Sequence, residues 1–236
     1  LPILALDTAT MVSSVAIASP DKLLAEVTLQ TKLTHSEVLM PHVQQVLAMT
    51  NIKKTELDAI AVSVGPGSFT GLRIGLAAAK SMAYALKIPL VGVSTLEAMA
   101  WHYPVPGIYT LCVLDAQKGD VYAGLYSWQQ EEVHLVKPVE VLPFAEVIDF
   151  CQTLDRPVVI IGDIAQKKQA LIRAAGANII AAQPHMIMPR AANVAMLAQQ
   201  KLAAGRTDEV MSLEPLYIRR SEAEVLWEKR QQKQQA

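Results

Sequence analysis

Apolar and polar positions alternate with two different periods along this chain, and the switches between them mark its elements. Pro2 to Leu6 is apolar and ends in Asp7-Thr8-Ala9-Thr10. Ser13 to Ala18 alternates, and Leu23 to Gln30 largely alternates again after a Pro20-Asp21 turn. The pattern predicts three successive strands joined by tight turns. A helix is expected next, from Ser36 to Met49. Thr34-His35-Ser36-Glu37 fits a capping box, with Thr34 at the N-cap and Glu37 at N3. Pro41 lies inside that span, so the helix is either kinked there or starts later. Ala59 to Val64 reads as a strand running into Gly65-Pro66-Gly67, and an Ala-rich helix follows from Thr70 to Leu86. Ser68 and Thr70 are both N-cap residue types. Pro89 to Val93 is a further short strand, and Thr95 to Trp101 opens another helix.

The order then partly restarts. Tyr109 to Asp115 is apolar and closes, like the first strand, on a Leu-Asp pair (Leu6-Asp7, Leu114-Asp115). Asp120 to Trp128 alternates, and Val133 to Val136 and Val139 to Leu142 read as short strands. Helices are expected at Phe144 to Leu154, Ala165 to Ala175 and Asn193 to Ala204, with strands at Pro157 to Gly162 and Asn178 to Ala181. Three strands, a helix, a strand and a helix, followed by a variant of the same series, predict an α/β protein of two related lobes. The lobes are placed at residues 1–105 and 106–220. The charged, Gln-rich stretch 221–236 reads as a solvated helix or a frayed tail.

Two helices of the first half are apolar over more than one face. At 100° per residue, Arg73, Ala77, Lys80 and Tyr84 form one narrow stripe of the Thr70–Leu86 helix. Ile74, Gly75, Leu76, Ala78, Ala79, Met82, Ala83, Ala85 and Leu86 cover roughly 200° of the rest. Gly71, Gly75, Ala79 and Ala83 recur every fourth residue, a small-residue ridge that admits a close neighbour. In the preceding helix Val38, Leu39, Met40, Val43, Val46, Leu47 and Met49 also spread over roughly 200°. A helix on one side of a sheet needs about half of that arc. Each helix should therefore be covered twice, by the sheet and by either its sister helix or a second protein.

Composition narrows the class. The 236 residues are 52% hydrophobic, enough for one large domain or two small lobes, with no apolar run long enough to span a membrane. A net charge of −1 gives no global attraction to nucleic acid. Cys112 and Cys151 read as buried thiols rather than a disulfide. No signal peptide stands ahead of the first strand, and a soluble cytoplasmic protein is expected.

The stretch from Gly65 to Gly75 invites comparison with a phosphate loop, because a glycine turn ahead of a helix leaves N–H groups for an anion. The match fails where charge is required. Gly71 is followed by Leu72 and Arg73 rather than Lys and Ser or Thr, and Thr70 stands where a dinucleotide fingerprint has its third glycine. A structural turn is the alternative. Asp7-Thr8-Ala9-Thr10 at a strand end suits either a magnesium–phosphate turn or a plain one. His35 and His42 point the same way on a helix but stand about 10 Å apart along it, too far for one metal. A capping or interface role suits them better. His102, His134 and His185 have no ligand-like neighbours, and Ser68 lacks the Gly-x-Ser-x-Gly context of a nucleophile elbow. Towards the C-terminus Arg219, Arg220, Lys229, Arg230 and Lys233 alternate with Glu222, Glu224 and Glu228, as on a solvated helix face or a tRNA contact.

Several stretches together resemble one family: Ile3 to Thr10, His35-Ser36-Glu37 with Pro41, Ser63 to Gly75, Ala79-Lys80, Ile88 to Ala98, Asp115-Ala116 and Val121-Tyr122. They are similar to the TsaB (YeaZ) family of bacterial proteins in the tRNA threonylcarbamoyladenosine pathway. The match is dense from residue 3 to about residue 126 and thin afterwards. The resemblance implies a two-lobed actin/sugar-kinase-like (ASKHA) α/β fold, with mixed sheets flanked by helices. It implies a non-catalytic scaffold that pairs with TsaD, the subunit that transfers threonylcarbamoyl to adenosine 37 of tRNAs reading ANN codons. The ATPase TsaE joins that complex, and the scaffold alone would form a homodimer. The expected interface is Val38, Leu39, Val43, Val46, Leu47, Gly71, Ile74, Gly75, Ala78, Ala79 and Met82.

In TsaD-like proteins the stretch aligned with Val93 to Met99 reads Val-Asn-His-Leu-Glu-Gly-His, and its two histidines ligate a metal. Thr95 and Met99 stand there in this chain. A Ser-Gly-Gly-His phosphate turn aligns with Leu114-Asp115-Ala116-Gln117, and Gly162-Asp163 is the nearest counterpart of a Gly-Gly adenine platform. The resemblance therefore implies no metal and no cofactor, with Asp7, Thr8 and Asp115 as remnants of a nucleotide site. Any tRNA contact would be indirect or weak. The alternative, suggested by glycoprotease-like names in the family, is a metallopeptidase or an ATP-binding enzyme in its own right.

Overall fold

In a computed structural model of the chain, which describes residues 2–30 and 33–219, the strands collect into two five-stranded sheets. The first holds β1 (Ile3–Asp7), β2 (Val12–Ser19), β3 (Lys22–Gln30), β4 (Ala59–Gly65) and β5 (Leu90–Ser94), in the order β3-β2-β1-β4-β5. The second holds β6 (Tyr109–Asp115), β7 (Asp120–Gln129), β8 (Glu132–Pro143), β9 (Val158–Ile161) and β10 (Ile179–Ala181), in the order β8-β7-β6-β9-β10. The two orders are the same, so the halves repeat one topology. In each, three strands pair antiparallel through short turns and two more add in parallel beyond the first strand.

Parallel neighbours need a crossover connection, and helices supply it. The first half uses α1 (His35–Thr50) and α2 (Phe69–Leu86) and closes with α3 (Thr95–Ala100). The second uses α4 (Phe144–Gln152), α5 (Asp163–Lys167) and α6 (Gln169–Ala175) and closes with α7 (Ala191–Ala203). α1 and α2 cover one face of the first sheet, where Leu39, Val43, Val46, Leu76 and Ala79 meet Leu4, Leu6, Val15, Ile60 and Val62.

The two closing helices cross between the halves. Ala191, Val194, Ala195, Leu197 and Ala198 of α7 pack on Ile3, Ala5, Ala16, Ala59, Ala61 and Val93 of the first sheet. Leu96, Met99 and Ala100 of α3 pack with Cys112, Leu114, Tyr122 and Ile161 of the second. In space, therefore, α7 belongs with residues 1–105. The start of α7 is fixed by strand side chains. Ala191 N–H donates to Ser14 Oγ at 2.9 Å and Ala192 N–H to Glu26 Oε1 at 3.0 Å, while Arg190 pairs with Glu26 Oε2. These contacts satisfy helix donors that otherwise lack partners.

Several boundaries differ from the sequence pattern. Val133–Val136 and Val139–Leu142 are parts of one long strand, β8, whose register shifts against β7 absorb the interruption at Lys137-Pro138. The helix expected over Ala165–Ala175 breaks at Lys168 into α5 and α6. α1 runs through Pro41. Before it, the Thr34 N–H and hydroxyl donate to Glu37 Oε2 at 2.8 and 2.6 Å. Ser68, not Thr70, caps α2, accepting the Gly71 N–H at 3.2 Å. The stretch 221–236 lies outside the described residues.

After α7 the chain returns along the edge of the first sheet. Asp208 N–H donates to Leu90 O at 2.9 Å, and its carboxylate takes the Gly92 N–H at 2.7 Å. Lys80 of α2 donates to the Met211 and Leu213 carbonyls at 2.8 and 2.9 Å, and Leu216 N–H donates to Val64 O at 2.7 Å. The last described residue of this strap, Arg219, lies beside the second half.

Candidate functional site

The expected partner face lies on α1 and α2, and the chain uses most of it internally. Val38, Leu39, Val43, Val46 and Leu47, with Gly71, Gly75 and Ala79, are buried in the chain's own core. In the lone chain these eight leave little surface to a partner, which differs from that part of the expectation. The reason is geometric: α1 rests on β2 and β3 and also against α2, so two neighbours within the chain consume its wide apolar arc. Ile74, Ala78 and Met82 differ. They recur every fourth residue along α2, pack on the core with one side and keep the other free. Met40 and Met49 on α1 and Tyr84 on α2 are exposed, Tyr84 at 71%.

The small-residue ridge of α2 meets the chain's own first turn. A Cβ on Gly71 would collide with the Thr8 carbonyl oxygen, and one on Gly75 with the Thr8 hydroxyl. The close neighbour is thus Thr8, whose Oγ1 donates to Gly71 O at 2.8 Å. Asp7 and Thr8 are fully buried beneath α2. Asp7 Oδ1 accepts the Ala9 N–H at 3.0 Å, and Ser63 stands beside the carboxyl. Burial pushes Asp7 up to about 6, with the Ala9 N–H and Ser63 offsetting part of the effect. Three amides here are also engaged. Ser68 N–H donates to Ala9 O at 2.7 Å, Gly71 N–H to Ser68 Oγ and Leu72 N–H to Ser68 O.

The matching turn of the second half is open. Asp115 borders a cleft of about 570 Å³ between the halves. Ala9 to Met11 and Gly67 to Thr70 line it from the first half; Leu114 to Lys118, Tyr122, Asp163 and Lys167 line it from the second. Lys167 Nζ lies 3.7 Å from carboxylate oxygens of both Asp115 and Asp163. Asp163 also accepts the Asp115 N–H at 3.1 Å; burial raises its pKa and Lys167 partly offsets that. Among the described residues the lining holds no histidine or cysteine, common partners in nucleophilic catalysis. Asp7, Thr8 and Asp115, grouped by sequence as one remnant site, thus separate into two sealed residues and one open one.

The strap contributes residues that sequence reasoning missed or misplaced. The Tyr217 ring lies 5.0 Å from that of Phe69, and Arg73, 3.8 Å above Phe69, donates to the Tyr217 hydroxyl at 2.8 Å. Arg219 belongs to no solvated helix face. Its Nη1 donates to Ala116 O at 2.7 Å, Gln117 O at 3.1 Å and Asp120 Oδ2 at 3.2 Å.

Thr95 and Met99 are both fully buried, Met99 among Leu96, Cys112 and Leu114. Among the described residues no three His, Cys, Asp or Glu side chains are placed as metal ligands. His35 Nε2 lies 2.7 Å from Thr10 O and ties the start of α1 to the first turn. His42 is neither a cap nor an interface residue: it is buried against β2, with Nδ1 3.1 Å from Ser13 Oγ, and burial lowers its pKa. Cys112 and Cys151 are buried free thiols, Cys151 pushed up to about 12 by burial.

A family model of TsaD, tRNA N6-adenosine threonylcarbamoyltransferase, matches residues 22–227. The tRNA threonylcarbamoyladenosine biosynthesis protein TsaB of Bacillus subtilis (strain 168) is 33% identical over 228 residues, covering 96% of this chain and 98% of that protein. The protein of the same name from Escherichia coli (strain K12) is 32% identical over 236 residues, covering 96% and 97%. The structure of YeaZ from Pseudomonas aeruginosa is similar with a TM-score of 0.75 at 26% identity, over 92% of this chain and 99% of that one. Component A of (R)-2-hydroxyglutaryl-CoA dehydratase from Acidaminococcus fermentans shares the fold alone, with a TM-score of 0.54 at 12% identity over 86% and 99%. The architecture is the two-lobed actin/sugar-kinase-like (ASKHA) α/β fold. Among the described residues no helix is long and apolar enough to cross a membrane.

Proposed function

The chain belongs to the TsaB family of tRNA threonylcarbamoyladenosine biosynthesis proteins, and from that membership we propose that it is a non-catalytic scaffold for TsaD. In this reading it pairs with TsaD, and TsaE joins them, for threonylcarbamoylation of adenosine 37 in tRNAs reading ANN codons. The complex is cytoplasmic, and tRNA contact with this subunit is indirect or weak. The observation that carries the reading is the Ile74-Ala78-Met82 stripe, an apolar line on a long helix with one side uncovered. Exposed apolar surface of this kind is a site for a protein partner, and without TsaD two copies of the chain cover it as a homodimer. The sealed Asp7–Thr8 turn and the engaged amides around Ser68 support the non-catalytic part, since a phosphate needs such groups free.

Met82→Arg places a charge on the uncovered side of the stripe. It is expected to weaken TsaD binding by about 100-fold or more, as loss of a central interface anchor does. Circular dichroism and melting should stay near wild type, because Met82 has a free side for the longer chain. Ala79→Arg is no substitute probe: Ala79 is wholly buried, and a charge there would break the core. Co-elution of Met82→Arg with TsaD at unchanged affinity would remove this face from the interface. The enzyme alternative is decided on the lone protein. Micromolar ATP affinity by calorimetry, or stoichiometric zinc or iron by metal analysis, would replace the scaffold reading.

A further inference from the structure

The strap from Asp208 to Arg219 is fastened to the first half at several points: Asp208 on β5, the Met211 and Leu213 carbonyls on Lys80, Leu216 on β4, and Tyr217 on Arg73. Its last described residue then reaches across to the second half. Arg219 grips the turn between β6 and β7 through two carbonyls and one carboxylate. In that turn Gln117 and Lys118 have φ of +66° and +57°, the left-handed region that residues with a Cβ rarely adopt, and Gly119 follows at +89°. The carbonyls that Arg219 holds belong to Ala116 and Gln117, at the entrance to this left-handed run. The β7–β8 turn makes the same left-handed pair at Gln130 and Glu131, as tight hairpins do, so what Arg219 fixes is the position of the β6–β7 turn rather than its backbone angles. Ile218, next to Arg219 on the strap, also packs against the core of the second half, while α3 and α7, which join the halves as well, line no part of the cleft.

We infer that the strap is a latch: Arg219 fastens the β6–β7 turn to the first half and holds the cleft at one width, with α3 and α7 as the hinge. Because Lys80 and Arg73 tie the same strap to α2, α2 and the β6–β7 turn form one rigid unit while the latch is closed. This inference does not depend on the TsaD reading, and its test needs no partner.

Spin labels at Thr70→Cys and Gln166→Cys, on opposite halves and both exposed, report the cleft in the full chain; Cys112 and Cys151 are buried and stay unlabelled. The latched protein should give one narrow distance distribution. Arg219→Ala should broaden it at least twofold towards longer distances and speed amide exchange at Ala116 and Asp120 by about tenfold or more, as loss of a local closed state does. Tyr217→Ala, which loosens the strap from the first half and leaves Arg219 intact, should broaden it as well. An unchanged distribution in Arg219→Ala overturns the latch, even if the turn exchanges faster, because Arg219 then steadies only the turn. Should Arg219→Ala fail to fold, Arg219→Gln decides in its place, and a wild-type distribution in that variant overturns the latch equally.

Discussion

Asp7 and Asp115 end equivalent strands, β1 and β6, of two sheets built in the same order, yet one is sealed and the other faces a cleft. The difference lies in the helix that follows the next parallel strand. In the first half that helix is α2, eighteen residues long, and its glycines let it settle onto Thr8. In the second half the same position holds α5, five residues long and broken from α6 at Lys168, so among the described residues no long helix closes over Asp115. Repetition of a topology therefore does not repeat a site. Access is set by two side-chain-free positions, Gly71 and Gly75, on one helix.

The contrast can be broken most forcefully at Gly75. Gly75→Val drives a branched side chain into Thr8 and should cost about 3 kcal/mol or more in urea unfolding, at the upper end for overpacking. Titration of Asp7 is the next largest effect. Burial raises its folded pKa above the unfolded value, so the neutral acid favours the fold at low pH, and that contribution is lost as pH rises from about 4 through about 6. Asp7→Asn removes the penalty and should gain on the order of 2 kcal/mol at pH 8, with little change at pH 3.5, in paired denaturant titrations. A gain that is equal at both pH values would show that Asp7 is not the group being titrated. Smallest is the open turn. A Cβ at Gly119 meets nothing, so Gly119→Ala should cost only about 1 kcal/mol, the strain of its left-handed backbone.

The repeat itself is legible in the chain, because both halves begin with an apolar strand closing on Leu-Asp and continue with alternating strands and helices. The cap at Ser68 and the reach of α2 to Leu86 are legible for the same local reasons. What covers each helix is not. A helical wheel counts apolar positions on α1 and α2, but it cannot distinguish a sheet, a sister helix and a second protein as the cover. Most of the expected interface therefore turns out to be core, and only Ile74, Ala78 and Met82 keep a side for a partner. His42 hides for the opposite reason: a polar residue sits on the buried face because Ser13 on β2 offers it a hydrogen-bond partner. Arg219 leaves no mark either. Its partners are carbonyls and a carboxylate of a turn far earlier in the chain, and backbone acceptors have no sequence signature.

The crossing of α7 onto the first sheet sets an order on the making of this protein. As the chain leaves the ribosome, β1 to β5 are complete while Ile3, Ala5, Ala16, Ala61 and Val93 still lack the helix that shields them. That helix arrives only after all five strands of the second sheet have been synthesised. The first half must therefore wait with one apolar sheet face bare, a nascent-chain state that is slow to resolve and open to aggregation. Two lobes that look separable in sequence are thus a single folding unit, completed only when the residues of α7 emerge.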